Sequence, residues 1–221
     1  MEIMDFHEIS KLMNCDRHFS PALLQEFFAT VHFSTKGPRA MTWMSGGVKC
    51  QATLAEFGAL FGIEEAVFTH FSHIRIHGEE RLILKARTGI RHCYPPGVGT
   101  QYIPKVKYFT DFWYVTHTIL RNTIHVKFGE KGNVRKWMIN LLHHIVKAKN
   151  NNKKLDVMDY MWNEMKNTVL GNKVPIYGSY IQTLIDSKVP AQLVNNYRPL
   201  TIPTMRPLLT ASQEETAPRS K

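Results

Sequence analysis

Nine lysine and arginine side chains cluster between residues 121 and 154. They are Arg121, Lys127, Lys131, Arg135, Lys136, Lys147, Lys149, Lys153 and Lys154. The only acid in this stretch is Glu130, so nine cations less one anion give +8 of the whole chain's +10. Cations that share a face attract phosphates and release counterions, which predicts nucleic-acid binding that weakens steeply with salt. A solvated face without a ligand is the alternative, and the sequence leaves both open.

Three carboxylates in the C-terminal half are candidates for metal-dependent catalysis. They are Asp156, Asp159 and Glu164. A nuclease or transposase needs acids that converge on two metal ions. Asp156 and Asp159, however, lie about one turn apart at the start of a predicted helix, where acids complement the helix dipole. We therefore predict a structural role for them, and a degenerate nuclease remains a third alternative.

Residue types that bind metals also occur in the middle of the chain. They are His70, His73, His77, His92 and Cys93. A closed zinc site normally shows paired spacings such as C-x2-C, which this sequence lacks. It also lacks a nucleophile elbow around Ser45 and any glycine-rich phosphate loop. We expect a non-enzymatic protein with no catalytic residue, metal, cofactor or small-molecule substrate.

The composition predicts an intracellular globular protein. Its 221 residues, 43% of them hydrophobic, can bury a sizeable core. Three widely spaced cysteines argue against a disulfide framework and for a reducing compartment. No signal-peptide pattern and no apolar run of about 20 residues occurs. We therefore expect a cytoplasmic or nuclear location and no membrane partner.

The predicted fold is mostly α (α+β), with a small β-hairpin in the N-terminal half and a helical bundle in the C-terminal half. Ser20 is predicted to cap one helix, and Thr53 with Glu56 forms a capping box for another. Between them, residues 41–44 and 48–52 read as two strands joined by a glycine turn. A second strand pair is predicted around residues 74–84.

Four helices are predicted in the C-terminal half. One follows Thr110 and is apolar on nearly every side, which indicates a buried central helix. The next has an apolar stripe and carries His143 and His144, one of which we expect to be packed and the other exposed. The last two form a helical hairpin over residues 155–189, with the second helix beginning at Pro175. We expect the two preceding helices to cover this hairpin.

The domain prediction is a single unit over residues 1–197, followed by a disordered tail over 198–221. The tail has prolines at short intervals and no apolar period. A sub-boundary near residue 105, between a mixed first half and a helical second half, is left open.

Several stretches together resemble a known plant family. They are LLQEFFATVHFSTKGPRAMTWMSGG, TLAEFGALFGI, ILRNTIHVKFGEKGNVRKWMINLLHHI, LDVMDYMWNEM and KVPIYGSYIQTLI, and they span Leu23 to Val189. They are similar to the plant-specific transposon protein domain of Athila-like and gypsy-like long-terminal-repeat retrotransposons. The resemblance implies a gag-like or accessory region that self-associates and packages RNA or DNA. It implies no catalytic residue.

A protein-interaction role is the alternative function. The chain contains 10 methionines and, by 4 Trp, 8 Tyr and 12 Phe, 24 aromatic residues. Some of these could lie on the surface and bind a protein partner. In that case the chain would be a host-retained adaptor or regulator.

Overall fold

The computed structural model describes residues 2–15, 17–34, 36–63, 68–69, 89–99, 104–124, 132–134, 136–150, 152, 154–171 and 176–194. The helices in these ranges are α1 (Glu2–Phe6), α2 (Ile9–Met13), α3 (Pro21–Thr30), α4 (Leu54–Ala59), α5 (Asp111–Thr123), α6 (Lys136–Asn150), α7 (Val157–Leu170), α8 (Gly178–Lys188) and α9 (Ala191–Val194). The strands are β1 (His32–Phe33), β2 (Ala40–Ser45), β3 (Val48–Thr53), β4 (Phe68–Thr69) and β5 (Lys154–Leu155). The predicted fold class, mostly helical α+β with a small N-terminal sheet, is confirmed.

The chain divides into two compact units. The first unit combines Met1–His73 with Asn151–Ile202, and the second unit combines Ile74–Asn150 with Pro203–Lys221, the latter outside the described residues. The chain therefore leaves the first unit, forms the second and returns. The division falls near residues 73 and 150, not near the sub-boundary considered at 105. The predicted tail, 198–221, and the strand pair around 74–84 lie outside the described residues.

The predicted β-hairpin is the centre of a three-stranded antiparallel sheet. Strands β2 and β3 pair so that Trp43 lies opposite Cys50. The turn uses Gly46 and Gly47, whose φ angles of 59° and 77° are the left-handed values that a two-residue hairpin turn needs. Strand β1 adds to the outer side of β2, with His32 opposite Thr42. Two residues are too few for a period-two pattern, so β1 was not predicted.

Two helices of the first unit begin at the N-cap residues that were predicted for them. Ser20 Oγ accepts a hydrogen bond from Leu23 N at the start of α3, at 3.4 Å. Thr53 Oγ1 accepts from Glu56 N at 3.1 Å, and the Glu56 carboxylate accepts from Thr53 N at 2.7 Å. This capping box starts α4, which ends at Ala59 and is shorter than the predicted helix.

The predicted helical hairpin consists of α7 and α8. Both helices bury apolar side chains, and Val169 of α7 is half-buried. The buried ones are Met158, Trp162 and Met165 of α7 and Tyr180, Ile181, Leu184 and Ile185 of α8. The start of α8 differs from the prediction. Tyr177 adopts a left-handed conformation with φ 61°, so the helix begins at Gly178 and not at Pro175.

Two helices that were not predicted to cover this hairpin pack against it. Helix α3 contacts α8, and α4 contacts α7, so this part of the cover comes from the N-terminal part of the chain. The two helices that precede the hairpin, α5 and α6, belong to the second unit. An ion pair of 2.9 Å between Lys188 Nζ and Glu56 Oε1 also joins α8 to α4. Helical periodicity shows that a face must be covered, but it does not identify the covering element.

The second unit contains α5 and α6. Helix α6 buries Met138, Leu142 and Ile145 of its apolar stripe. Helix α5 is buried on one side only, because Phe112 is 47% exposed and Val115 37% exposed. The prediction of a central helix buried on every side was therefore wrong.

Candidate nucleic-acid interface

The charge excess of the chain coincides with the second unit. Residues 74–150 contain fourteen lysines and arginines and four acids, and fourteen less four gives +10. The first unit contains eleven cations and twelve acids, which gives −1. The folded chain therefore combines one nearly neutral unit with one strongly basic unit. A local excess of this size creates a positive potential that attracts polyanions.

Few carboxylates accompany these cations. The second-unit cations with described side chains are Arg91, Lys105, Lys107, Arg121, Lys147 and Lys149. Among the described residues of this unit, Asp111 is the one acidic side chain. Lys105, Lys107 and Lys147 are exposed. The Lys107 ammonium lies 4.9 Å from the centroid of the Tyr108 ring, in a cation–π contact.

Two histidines, the buried His117 and the half-buried His144, lie close enough to these cations for their pKa values to be affected. Burial, followed by the nearby charge of Arg121, lowers the pKa of His117 to about 4. Burial, followed by the charges of His143 and Lys147, lowers the pKa of His144 to about 4. Both imidazoles are therefore neutral at pH 7 and add nothing to the positive charge. His143 and His144 are both half-buried, so the prediction of one packed and one exposed histidine was wrong.

Of the nine predicted contact residues, the structure describes the side chains of Arg121, Lys147, Lys149 and Lys154. Arg121 lies in the last turn of α5, and Lys147 and Lys149 lie in the last turn of α6. Lys136 begins α6, but its side chain lies outside the described residues, as do Lys127, Lys131, Arg135 and Lys153. Lys147 and Lys149 are two positions apart, which places them about 200° apart around the helix axis and not on one face.

Lys154 has a different environment. It lies in β5, in the first unit, and its ammonium is 3.3 Å from the Glu8 carboxylate. The same carboxylate also pairs with Lys11 at 2.6 Å. These cations hold the pKa of Glu8 below its ordinary value, although burial opposes them. Because its charge is compensated locally, we leave Lys154 out of the candidate interface.

Among the described side chains, the second unit adds three cations that were not predicted as contact residues: Arg91, Lys105 and Lys107. Arg91 donates to the carbonyl of Val98, and an isolated backbone bridge joins Lys105 to Asn133. Counting charge upstream from residue 121 would have included all three, because Asp111 is the only acid between residues 81 and 121.

Two of the candidate nuclease carboxylates, Asp156 and Asp159, have structural roles, as predicted. Asp156 Oδ1 accepts from Asp159 N at 2.7 Å and thereby caps α7. Asp159 is itself paired with Arg39 and accepts from Asn163 Nδ2 at 3.0 Å. Both carboxylates therefore stabilise the start of α7.

No metal-binding cluster of three or more His, Cys, Asp or Glu occurs in the part of the chain that the structure describes. Of the predicted ligand types, His92 and Cys93 are described, and His70, His73 and His77 are not. Burial raises the pKa of the Cys93 thiol far above its usual range, so it is a neutral side chain. All three cysteines are free thiols.

The methionines belong mainly to the core. Of the eight described, six are buried and two are half-buried. The buried ones are Met4, Met41, Met138, Met158, Met161 and Met165. The proposed methionine-rich interaction surface is therefore not found among the described side chains.

Comparisons of the chain with models of protein families, with curated proteins and with solved structures found no match. Among the described residues, no helix has the length and apolar composition needed to cross a membrane.

Proposed function

We propose that this protein is a non-enzymatic module that binds nucleic acid through its second unit. The observation that carries this proposal is the segregation of charge: residues 74–150 have a net charge of +10, and the first unit has −1. Lysine and arginine neutralise backbone phosphates without reading the sequence of bases. The expected partner is therefore RNA or DNA bound with little sequence preference. Such a partner would be met in the cytoplasm or the nucleus.

The resemblance to the plant retrotransposon domain is part of this proposal. A gag-like region that packages element RNA would use this type of electrostatic binding. The near-neutral first unit, whose hairpin α7–α8 packs on α3 and α4, would serve as the folded support.

The test compares two double variants with the same change in net charge. Lys105→Glu with Lys107→Glu alters two exposed lysines of the second unit, and Lys36→Glu with Lys49→Glu alters two exposed lysines of the first. Binding to labelled RNA and DNA, single- and double-stranded, is measured by fluorescence anisotropy at 50–200 mM salt. We expect the second-unit variant to bind at least about tenfold more weakly and the control to change little. Four phosphate contacts would give a slope of log affinity against log salt of about −3.6 on duplex DNA and about −2.8 on single strands.

Circular dichroism of both variants establishes that they remain folded. No binding at low salt, binding that does not depend on salt, or equal losses in the two variants would each contradict the proposal.

A further inference from the structure

Helix α5 exposes an aromatic side chain beside an aliphatic one. Phe112 is 47% exposed and Val115 37%, and they lie three positions apart, which places them on the same side of the helix. Among the described side chains, Phe112 is the only phenylalanine, tyrosine or tryptophan in the exposed class. A single exposed apolar residue is ordinary, but two adjacent ones form a small patch.

The Phe112 ring is packed against neighbouring aromatic side chains. Its centroid lies 5.1 Å from that of Trp113, with the two rings at 82°. Trp113 is nearly buried and makes a similar edge contact with His92 at 4.7 Å. Edge-to-face contacts of this type stabilise ring orientation. Phe112 is therefore an exposed ring on a rigid base, and ordering it on binding costs little entropy.

The charges that lie near this patch in the sequence are one exposed acid, Asp111, and two exposed lysines, so the local excess is positive. Lys107 precedes Phe112 by five residues, so their Cα atoms are at most about 18 Å apart. Lys105 lies two residues further upstream, and both lysines are exposed. The other exposed large hydrophobics among the described residues, Leu60 and Leu170, belong to the nearly neutral first unit. Within the described part of the basic unit, an exposed apolar patch occurs on α5 alone.

We propose that Phe112 and Val115 form a stacking surface for the bases of single-stranded nucleic acid, whose phosphates are bound by Lys105 and Lys107. This inference rests on the proposed function and makes it more specific. Proteins that bind single strands without sequence preference combine cations with aromatic side chains on which bases stack. A duplex keeps its bases stacked inside, so the patch favours single strands over duplexes.

The test uses four probes at 50 mM salt: a (dT)12, a (rU)12, a twelve-nucleotide abasic strand and a twelve-base-pair DNA duplex. The full chain is compared with Phe112→Ala, Phe112→Leu and Phe112→Trp, with Leu170→Ala as a control for loss of an exposed apolar side chain. We expect Phe112→Ala and Phe112→Leu to bind (dT)12 and (rU)12 about tenfold more weakly, within the range for loss of a stacking ring. Phe112→Trp should retain the affinity. The abasic strand and the duplex should bind all variants equally.

Two groups of results would overturn this inference while the proposed function stands. One is salt-dependent binding with unchanged affinity of Phe112→Ala for (dT)12 and (rU)12. The other is an equal loss on the abasic strand, which would mean that Phe112 does not contact bases. A change in oligomeric state of Phe112→Ala by sedimentation, without a change in oligonucleotide affinity, would assign the patch to self-association. Failure of the unaltered chain to bind any probe would instead refute the proposed function itself.

Discussion

Arg39 and Asp159, 120 residues apart in the sequence, form an ion pair in the first unit. Arg39 immediately precedes β2, and Asp159 lies in the first turn of α7. The Arg39 guanidinium also lies 5.9 Å from the centroid of the Trp162 ring. The pair therefore connects the N-terminal sheet to the part of the chain that returns from the second unit.

Replacing Arg39 by alanine should destabilise the protein. The Asp159 side chain is only 2% exposed, so it would lose its cation and keep the hydrogen bond from Asn163. Leaving a buried charge partly satisfied costs about 1–3 kcal/mol. Urea denaturation followed by circular dichroism would measure the loss, with Lys36→Ala as the control on an exposed neighbour. Equal midpoints for Arg39→Ala and the parent chain would show that the pair is not stabilising.

Glu56 should make stability depend on pH in the acid range. Hydrogen bonds from the Thr53 backbone N–H, then from Lys188 and from the Thr53 hydroxyl, lower the pKa of Glu56 from 4.5 to about 2. Because the pKa of Glu56 is lower in the folded state, the stability that this carboxylate contributes is complete above about pH 4.5. That stability is lost as the pH falls towards 2. Glu56→Gln should therefore be less stable than the parent at pH 7, and the difference should diminish towards pH 2.

Thermal unfolding between pH 2 and pH 7 would test this, with Asp5→Asn as a control on an exposed carboxylate of α1. A stability difference between Glu56→Gln and the parent that does not vary with pH would mean that the pKa of Glu56 is not lowered by folding.

His117 should make the second unit sensitive to mild acid. Burial and the Arg121 charge lower its pKa from 6.5 to about 4, so the unfolded chain takes up a proton at this site more readily than the folded chain. Stability should fall as the pH drops from 6.5 to 4 and become independent of this group below that. His144 titrates in the same window.

His117→Phe should remove the uptake of about one proton per molecule between pH 6.5 and 4 and so reduce the slope of stability against pH. The buried replacement will also change stability at pH 7, so the slope is the informative measurement. An unchanged slope would mean that the pKa of His117 is the same in the folded and unfolded states.

Gly178 should not tolerate a side chain. A Cβ atom at this position would lie 2.7 Å from ring atoms of Phe19, closer than carbon atoms approach one another in proteins. Gly178→Ala should therefore cost about 1–3 kcal/mol through the strain of overpacking. In a Phe19→Leu background the penalty should fall, because the ring is gone. Independent, additive effects in this double-mutant cycle would contradict the close contact.

The sequence by itself determined the local elements. The Ser20 cap and the Thr53–Glu56 capping box depend on groups within three residues of each other, and the hairpin turn depends on two adjacent glycines. The apolar stripes of α6, α7 and α8 follow the helical period. The cationic cluster was visible for the same reason, as an unbroken local excess of one charge. Each signal is contained in a short segment, which is why it could be read without a structure.

Only the tertiary structure decided which elements meet. The pairing of α7 with α4 and of α8 with α3, and the Arg39–Asp159 contact, join residues more than a hundred positions apart. It also paired Lys154 with Glu8 inside the first unit, and it left Phe112 exposed. Periodicity records that a face is apolar, but the free energy gained by burying it is nearly the same against any apolar partner of suitable shape. The choice of partner therefore depends on the packing of the whole chain.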